Sequence, residues 1–158
     1  MHLRSELARQ LIADGRLGRI NHVLIRLLAD YAAHPDGALT WRFKTEWSGS
    51  GVLGDLASHG VDLARYVIGE ISALACDDAT FIAHRPQASL NASHFSRGTG
   101  GELGGVENED YIAALLRFEG GSRGILESSR ALGGRAMHVW HRGSRRPRRA
   151  LLGLPADG

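Results

Sequence analysis

The chain has 158 residues, 43% of them hydrophobic and 23% charged, with a formal net charge of +2. That length suits one domain with a real core, and the composition excludes a chain disordered throughout and a fibrous repeat. No apolar run is long enough to span a membrane, and the N-terminus lacks the apolar stretch of a secretory signal. The lone Cys76 gives neither an internal disulfide nor a zinc pattern, so the expectation is a reduced, cytoplasmic protein.

In chain order, the first segment reads as a helix capped by Ser5, with Leu7, Leu11 and Ile12 as its apolar stripe and Gly15 as its stop. Residues 20–28 are rich in β-branched and aliphatic side chains and read as a strand. A turn follows at 31–37, then a short extended piece at 39–43. The Gly/Ser stretch 48–51 leads into a second helix over 52–68, ending before Gly69. Strands are expected at 71–76 and 79–84. Residues 85–105 show little periodicity and read as a long surface loop of the kind that is usually functional or mobile. Residues 111–118 and 123–129 read as a hairpin across Glu119-Gly120-Gly121-Ser122. These elements make one α+β domain over 1–134, an open and mainly antiparallel sheet with helices on one face.

Charge is unevenly placed. Of 19 basic residues only Lys44 is a lysine, and residues 135–158 hold six arginines against one acid, Asp157. That segment carries +5 and the first 134 residues −3. The tail, with Ser144-Arg-Arg-Pro-Arg-Arg-Ala, has neither a helix nor a strand period and reads as disordered or as the product of a shifted reading frame. Its charge alone suggests nucleic-acid binding, but it lacks interleaved aromatics beyond Trp140.

The second helix carries the chemistry. On a wheel of about 100° per residue, Asp55, His59, Asp62 and Tyr66 share one stripe, opposite an apolar face of Leu53, Leu56, Gly60, Ala64 and Val67. An Asp55–His59 pair at i,i+4 can share a hydrogen bond, and the carboxylate would tune the imidazole as an acid or base near neutral pH. The same stripe also describes the solvated face of an amphipathic helix. A metal site from Asp55, His59 and Asp62 would lack further ligands at useful spacing. The wheel alone does not decide.

The surrounding string does more. Trp41-Arg42-Phe43 followed by Ser48-Gly-Ser-Gly-Val-Leu-Gly-Asp-Leu-Ala-Ser-His-Gly-Val-Asp-Leu-Ala-Arg-Tyr resembles the second, C-terminal domain of the Gfo/Idh/MocA family of NAD(P)-dependent sugar and inositol oxidoreductases. Leu7-Ala-Arg-Gln-Leu-Ile-Ala-Asp-Gly, Val106-Glu-Asn-Glu-Asp-Tyr, Arg117-Phe-Glu-Gly-Gly-Ser-Arg-Gly and Leu126-Glu-Ser-Ser-Arg extend the resemblance over roughly 5–134. The resemblance implies that Asp55 and His59 are the catalytic acid/base pair and that Trp41 and Arg42 face substrate or cofactor. Asp62 and Tyr66 have weaker claims and are expected to support the helix, and no metal is expected.

The family binds NAD or NADP mainly through an N-terminal Rossmann domain with a Gly-rich loop and a Glu-Lys-Pro motif bearing a catalytic lysine. Neither motif is present here, since Gly98-Thr-Gly-Gly follows no strand at the chain start and Lys44 stands in no such motif. The expected function is therefore the substrate and oligomerisation domain of an oxidoreductase acting on a sugar or polyol, inactive without a Rossmann-domain partner. The competing reading is a non-enzymatic module that dimerises through its sheet.

Overall fold

The computed structural model describes residues 2–133, apart from 90, 91, 94 and 99, together with the backbone of 138 and 139. The first helix, α1 (His2–Ala13), begins before Ser5, so Ser5 lies inside the helix and not at its cap. Its C-terminus closes as a Schellman motif. Gly15, at φ 68°, donates to the carbonyl of Ile12, and the N–H of Arg16 reaches that of Leu11. Strand β1 (His22–Leu28) follows.

The piece expected to be extended is mostly a turn. Leu39 makes a bridge to Gln87, but Trp41–Phe43 forms one 3-10 turn, with Phe43 N donating to Thr40 O. The turn drops the Phe43 ring between two guanidinium groups, Arg85 at 4.3 Å and Arg130 at 4.6 Å from its centroid. A short helix, α2 (Thr45–Ser48), leads to the glycine-rich entry.

The second helix departs from its wheel. Leu53–Ala57 is a π-helical turn, and only Ser58–Ile68 (α3) is regular α-helix. The wide turn slips the phase of everything before Ser58. Leu53, expected on the docking face, is exposed, whereas Ala57, Gly60 and Ala64 are buried. Gly60 brings α3 hard against β1: a Cβ there would lie 2.8 Å from both Ile25 Cγ2 and Leu27 Cδ1. α1 packs on the outside of α3, where Arg9 stacks on Tyr66 and the Tyr66 hydroxyl meets Glu6.

The next strand, β2 (Ile71–Ala79), runs three residues longer than expected, and 79–84 is not a second one. The reason is Asp110, whose Oδ2 accepts from the N–H groups of Phe81 and Ile82 and draws the chain off the sheet. Within the expected loop, β3 (His84–Pro86) and β4 (Leu103–Gly105) form a small antiparallel ladder. The hairpin β5 (Tyr111–Phe118) and β6 (Arg123–Ser129) forms where expected, turning through Gly121 at φ 88°.

The main sheet has the order β2-β5-β6-β1-β7, where β7 is the two-residue strand His138–Val139. It is mainly antiparallel, but β1 pairs with β6 in parallel. Ile112, Ala114, Leu116, Phe118 and Leu126 face the helices and form the core with Val52, Ala57 and Ala64. The other face is open, with Leu24, Ile125 and Leu115 aligned across three strands and exposed. Apart from the backbone of β7, the basic segment 135–158 lies outside the described residues.

Candidate functional site

The glycine-rich entry is held by one acid. Glu109 Oε1 accepts from the N–H groups of Gly51 (2.9 Å) and Leu53 (2.8 Å), and its carbonyl accepts from Val52 (3.0 Å). A carboxylate at these unpaired helix donors is the arrangement that helix-end electrostatics favours. The contact is close: a Cβ on Gly51 would sit 2.1 Å from the Glu109 carbonyl oxygen. Anchored this way, the π turn swings Asp55 toward the residues that follow β1.

Asp55 there has two partners. The Tyr31 hydroxyl donates to Oδ2 at 2.5 Å, and Arg42 Nη1 donates to Oδ1 at 3.2 Å. Burial, and then the bond to Asp55 and its charge, hold the Tyr31 phenol well above its usual range, against the pull of Arg130 and Arg42. Arg42 also lies 4.8 Å from the ring centroid of Trp41, a residue that is 55% exposed. Together these residues line a cleft of about 260 Å³, with Ser50, Gly51 and Arg130 among the others in its wall.

From the cleft wall a buried polar network runs inward. Arg130 Nε donates to Asp110 Oδ1 at 2.8 Å, with side chains 2% and 0% exposed. Arg130 Nη2 donates to Asn108 Oδ1 (2.7 Å), and Asn108 Nδ2 donates to the Arg42 carbonyl and to Ser48 Oγ, both at 2.8 Å. The backbone of the Trp41-Arg42 turn is thereby tied to the end of β6. On the other side of Phe43, Arg85 donates to the carbonyls of Ala32 (2.5 Å) and His34 (2.9 Å), and burial lowers its pKa.

Three of the four residues singled out from the sequence, Trp41, Arg42 and Asp55, therefore meet at one cleft. His59 does not join them there. It lies on the exposed side of α3, outside the cleft lining, and among the described residues no hydrogen bond links it to Asp55. The π turn is the cause, because it breaks the i,i+4 geometry on which such a bond depends. Asp62 is exposed, and Tyr66 ties α3 to α1. Among the described residues no group of three or more His, Cys, Asp or Glu side chains could hold a metal.

Sequence reasoning missed Tyr31, Asn108, Glu109, Asp110 and Arg130. Asn108, Glu109, Asp110 and Arg130 stand in stretches that carry the family resemblance, and 107–110 are four polar residues in a row directly ahead of an apolar strand.

A family model for the GFO/IDH/MocA C-terminal domain matches residues 6–146. The chain belongs to the GFO/IDH/MocA family, as its C-terminal domain. The match runs on into the basic segment. Levoglucosan dehydrogenase of Pseudarthrobacter phenanthrenivorans is 38% identical over 135 residues, 84% of this chain and 35% of that protein. A solved levoglucosan dehydrogenase in complex with NADH and L-sorbose superposes with a TM-score of 0.73 at 36% identity, over 84% of this chain and 35% of that one. An inositol dehydrogenase homologue complexed with NAD+, from Azotobacter vinelandii, gives 0.67 at 26% identity, over 87% and 32%. The chain thus spans about a third of the relatives it matches. Its GFO/IDH/MocA fold is the mixed open sheet described above, with no Rossmann fold among the described residues, and no described helix is long and apolar enough to cross a membrane.

Proposed function

We propose that this chain is the substrate-facing domain of an NAD-dependent sugar or polyol dehydrogenase, inactive until a cofactor-binding Rossmann domain, in the same polypeptide or another, closes over its cleft. The carrying observation is Asp55, held between Tyr31 and Arg42 beside the exposed face of Trp41. Both guanidinium groups at the cleft are matched by carboxylates, Arg42 by Asp55 and Arg130 by Asp110. A charge-balanced cleft with a flat aromatic wall suits a neutral polyhydroxylated ring better than a sugar acid. Its volume is below the roughly 300–1,000 Å³ of complete small-molecule pockets, as half of a two-domain site would be.

The residues present fit one end of a dinucleotide. Trp41 offers a ring face of suitable size. The helix-entry donors at Gly51 and Leu53, which could otherwise hold a pyrophosphate, already carry the Glu109 carboxylate. The phosphates must then be held by the other domain. The chemistry a nicotinamide supplies is acceptance of the hydride from the carbinol carbon. The rest falls to this chain: Asp55 accepts a hydrogen bond from a substrate hydroxyl, Trp41 and Arg42 orient the ring, and His59, which lies outside the cleft lining, takes the hydroxyl proton only once closure of the second domain brings substrate within its reach.

The test mixes the purified chain with the cofactor domain of the Pseudarthrobacter relative and follows NADH formation from levoglucosan and from myo-inositol. Turnover that needs both parts supports the reading. Micromolar binding of NADH or NADPH to the chain alone, or silence of the mixture with every polyol tried, overturns it.

A second role is compatible with the first. The aligned and exposed Leu24, Ile125 and Leu115 suit pairing with a second copy through the open sheet face. A monomer by light scattering at working concentration would remove it.

A further inference from the structure

We propose that Tyr31 is a positioning residue for Asp55, fixing one carboxylate oxygen while Arg42 fixes the other, so that the ionised group is presented to a substrate hydroxyl in one orientation. The role in turnover rests on the dehydrogenase reading above; the pairing itself does not.

Three observations carry it. The Tyr31 hydroxyl donates to Asp55 Oδ2, and a hydrogen bond to a carboxylate is stronger than a neutral one. The backbone on either side of Tyr31 is itself held. Ala29 N donates to the Ser129 carbonyl (2.7 Å), Ala32 N donates to the Arg130 carbonyl (2.9 Å), and Arg85 clasps the carbonyls of Ala32 and His34. The segment that carries Tyr31 is therefore fixed by the sheet and by a buried guanidinium, apart from the element that carries Asp55. Finally, with Tyr31 and Arg42 on its two oxygens, Asp55 is not the orienter of His59 that the helical spacing suggests. Among the described residues, no carboxylate is bonded to the imidazole.

The charged groups facing the phenol are Asp55 on the π turn, Arg42 on the 3-10 turn and Arg130 after β6. The chain has three tyrosines, so ring-labelled carbon NMR can follow each phenol separately in the intact protein. If the pairing holds, Asp55→Asn lowers the titration midpoint of Tyr31 by about one pH unit, a tenfold change in its ionisation equilibrium, and leaves Tyr66 and Tyr111 in place. An unmoved Tyr31 midpoint overturns the proposal. This variant keeps the side-chain shape, and so serves even where Tyr31→Phe does not fold. In the reconstituted enzyme, Tyr31→Phe should lower kcat about tenfold with KM changed less than twofold, the pattern of a lost transition-state contact. Unaltered kcat overturns the positioning role. Should the wild-type mixture be silent, the dehydrogenase reading fails by itself, and the tyrosine titration, which needs no turnover, still decides the pairing.

Discussion

Two Arg–Asp pairs meet near the Phe43 turn and share their chemistry but not their surroundings. Arg130–Asp110 is almost wholly buried, with every carboxylate contact made inside the protein. Arg42–Asp55 is about one-third exposed and opens onto the cleft. The first pair is committed. Asp110 holds Arg130, ends β2 and closes the sheet, and has no capacity left for a ligand. The second is available, because its partners fix the carboxylate and leave it reachable from solvent. Burial, not residue type, separates an ion pair closed inside the fold from one open to solvent.

The strongest way to break this contrast is Asp110→Ala. It would strand the Arg130 charge and two backbone donors in the interior, at a cost of about 3–5 kcal/mol, a large part of a small domain's stability. The expected result in a denaturant melt is loss of the cooperative transition or a large fall in its midpoint; a near-native midpoint would mean that water reaches the pair. Gly51→Ala comes next. Its Cβ meets backbone at the Glu109 carbonyl, so overpacking of about 1–3 kcal/mol is expected, with Asp55 displaced as well. Stability and reconstituted turnover should fall together.

Asp55→Asn sharpens the contrast from the other side. Stability should change by less than about 1 kcal/mol, since the pair is partly exposed, while reconstituted turnover falls on the order of a hundredfold. A stability loss matching that of Asp110→Ala would erase the distinction drawn here. The smallest effect is expected at Glu107, whose carboxyl lies below its usual range because Lys44, and then the N–H of Thr45, bond to it. A depressed carboxyl stabilises the fold above its unfolded pKa, and that contribution is lost as pH falls through the folded value. Glu107→Gln should therefore melt slightly below wild type at neutral pH, with the gap closing on acidification through the carboxylate range.

Local features were legible in the sequence and non-local ones were not. The β5–β6 hairpin could be read because its alternation and its Gly-Gly turn are complete within twenty residues. Gly15 could be read as a helix stop because the Schellman motif is local. The contacts that build the cleft span longer distances. Tyr31 meets Asp55 across 24 positions, and Asn108 reaches Arg42 across 66. No periodicity reports either contact. The π turn was hidden for another reason: a wheel assumes one pitch throughout, so Asp55 and His59 were drawn onto a stripe that the backbone does not keep. Likewise, the end of β2 is set by a carboxylate that arrives about thirty residues later.

The parallel pairing of β1 with β6 has a consequence for how the chain is made. Ser128 bonds to Leu27 across 101 positions, and β1 lies between strands that all come from the far end of the sequence. A ribosome that has released α1 and β1 has released an element with no companion, which must wait while nearly the whole domain is synthesised. Contacts of such separation make for slow folding, and the apolar strand stays unprotected in the interval. Any product stopped before residue 123 would leave β1 without its sheet, so that a premature end removes more than the missing strand.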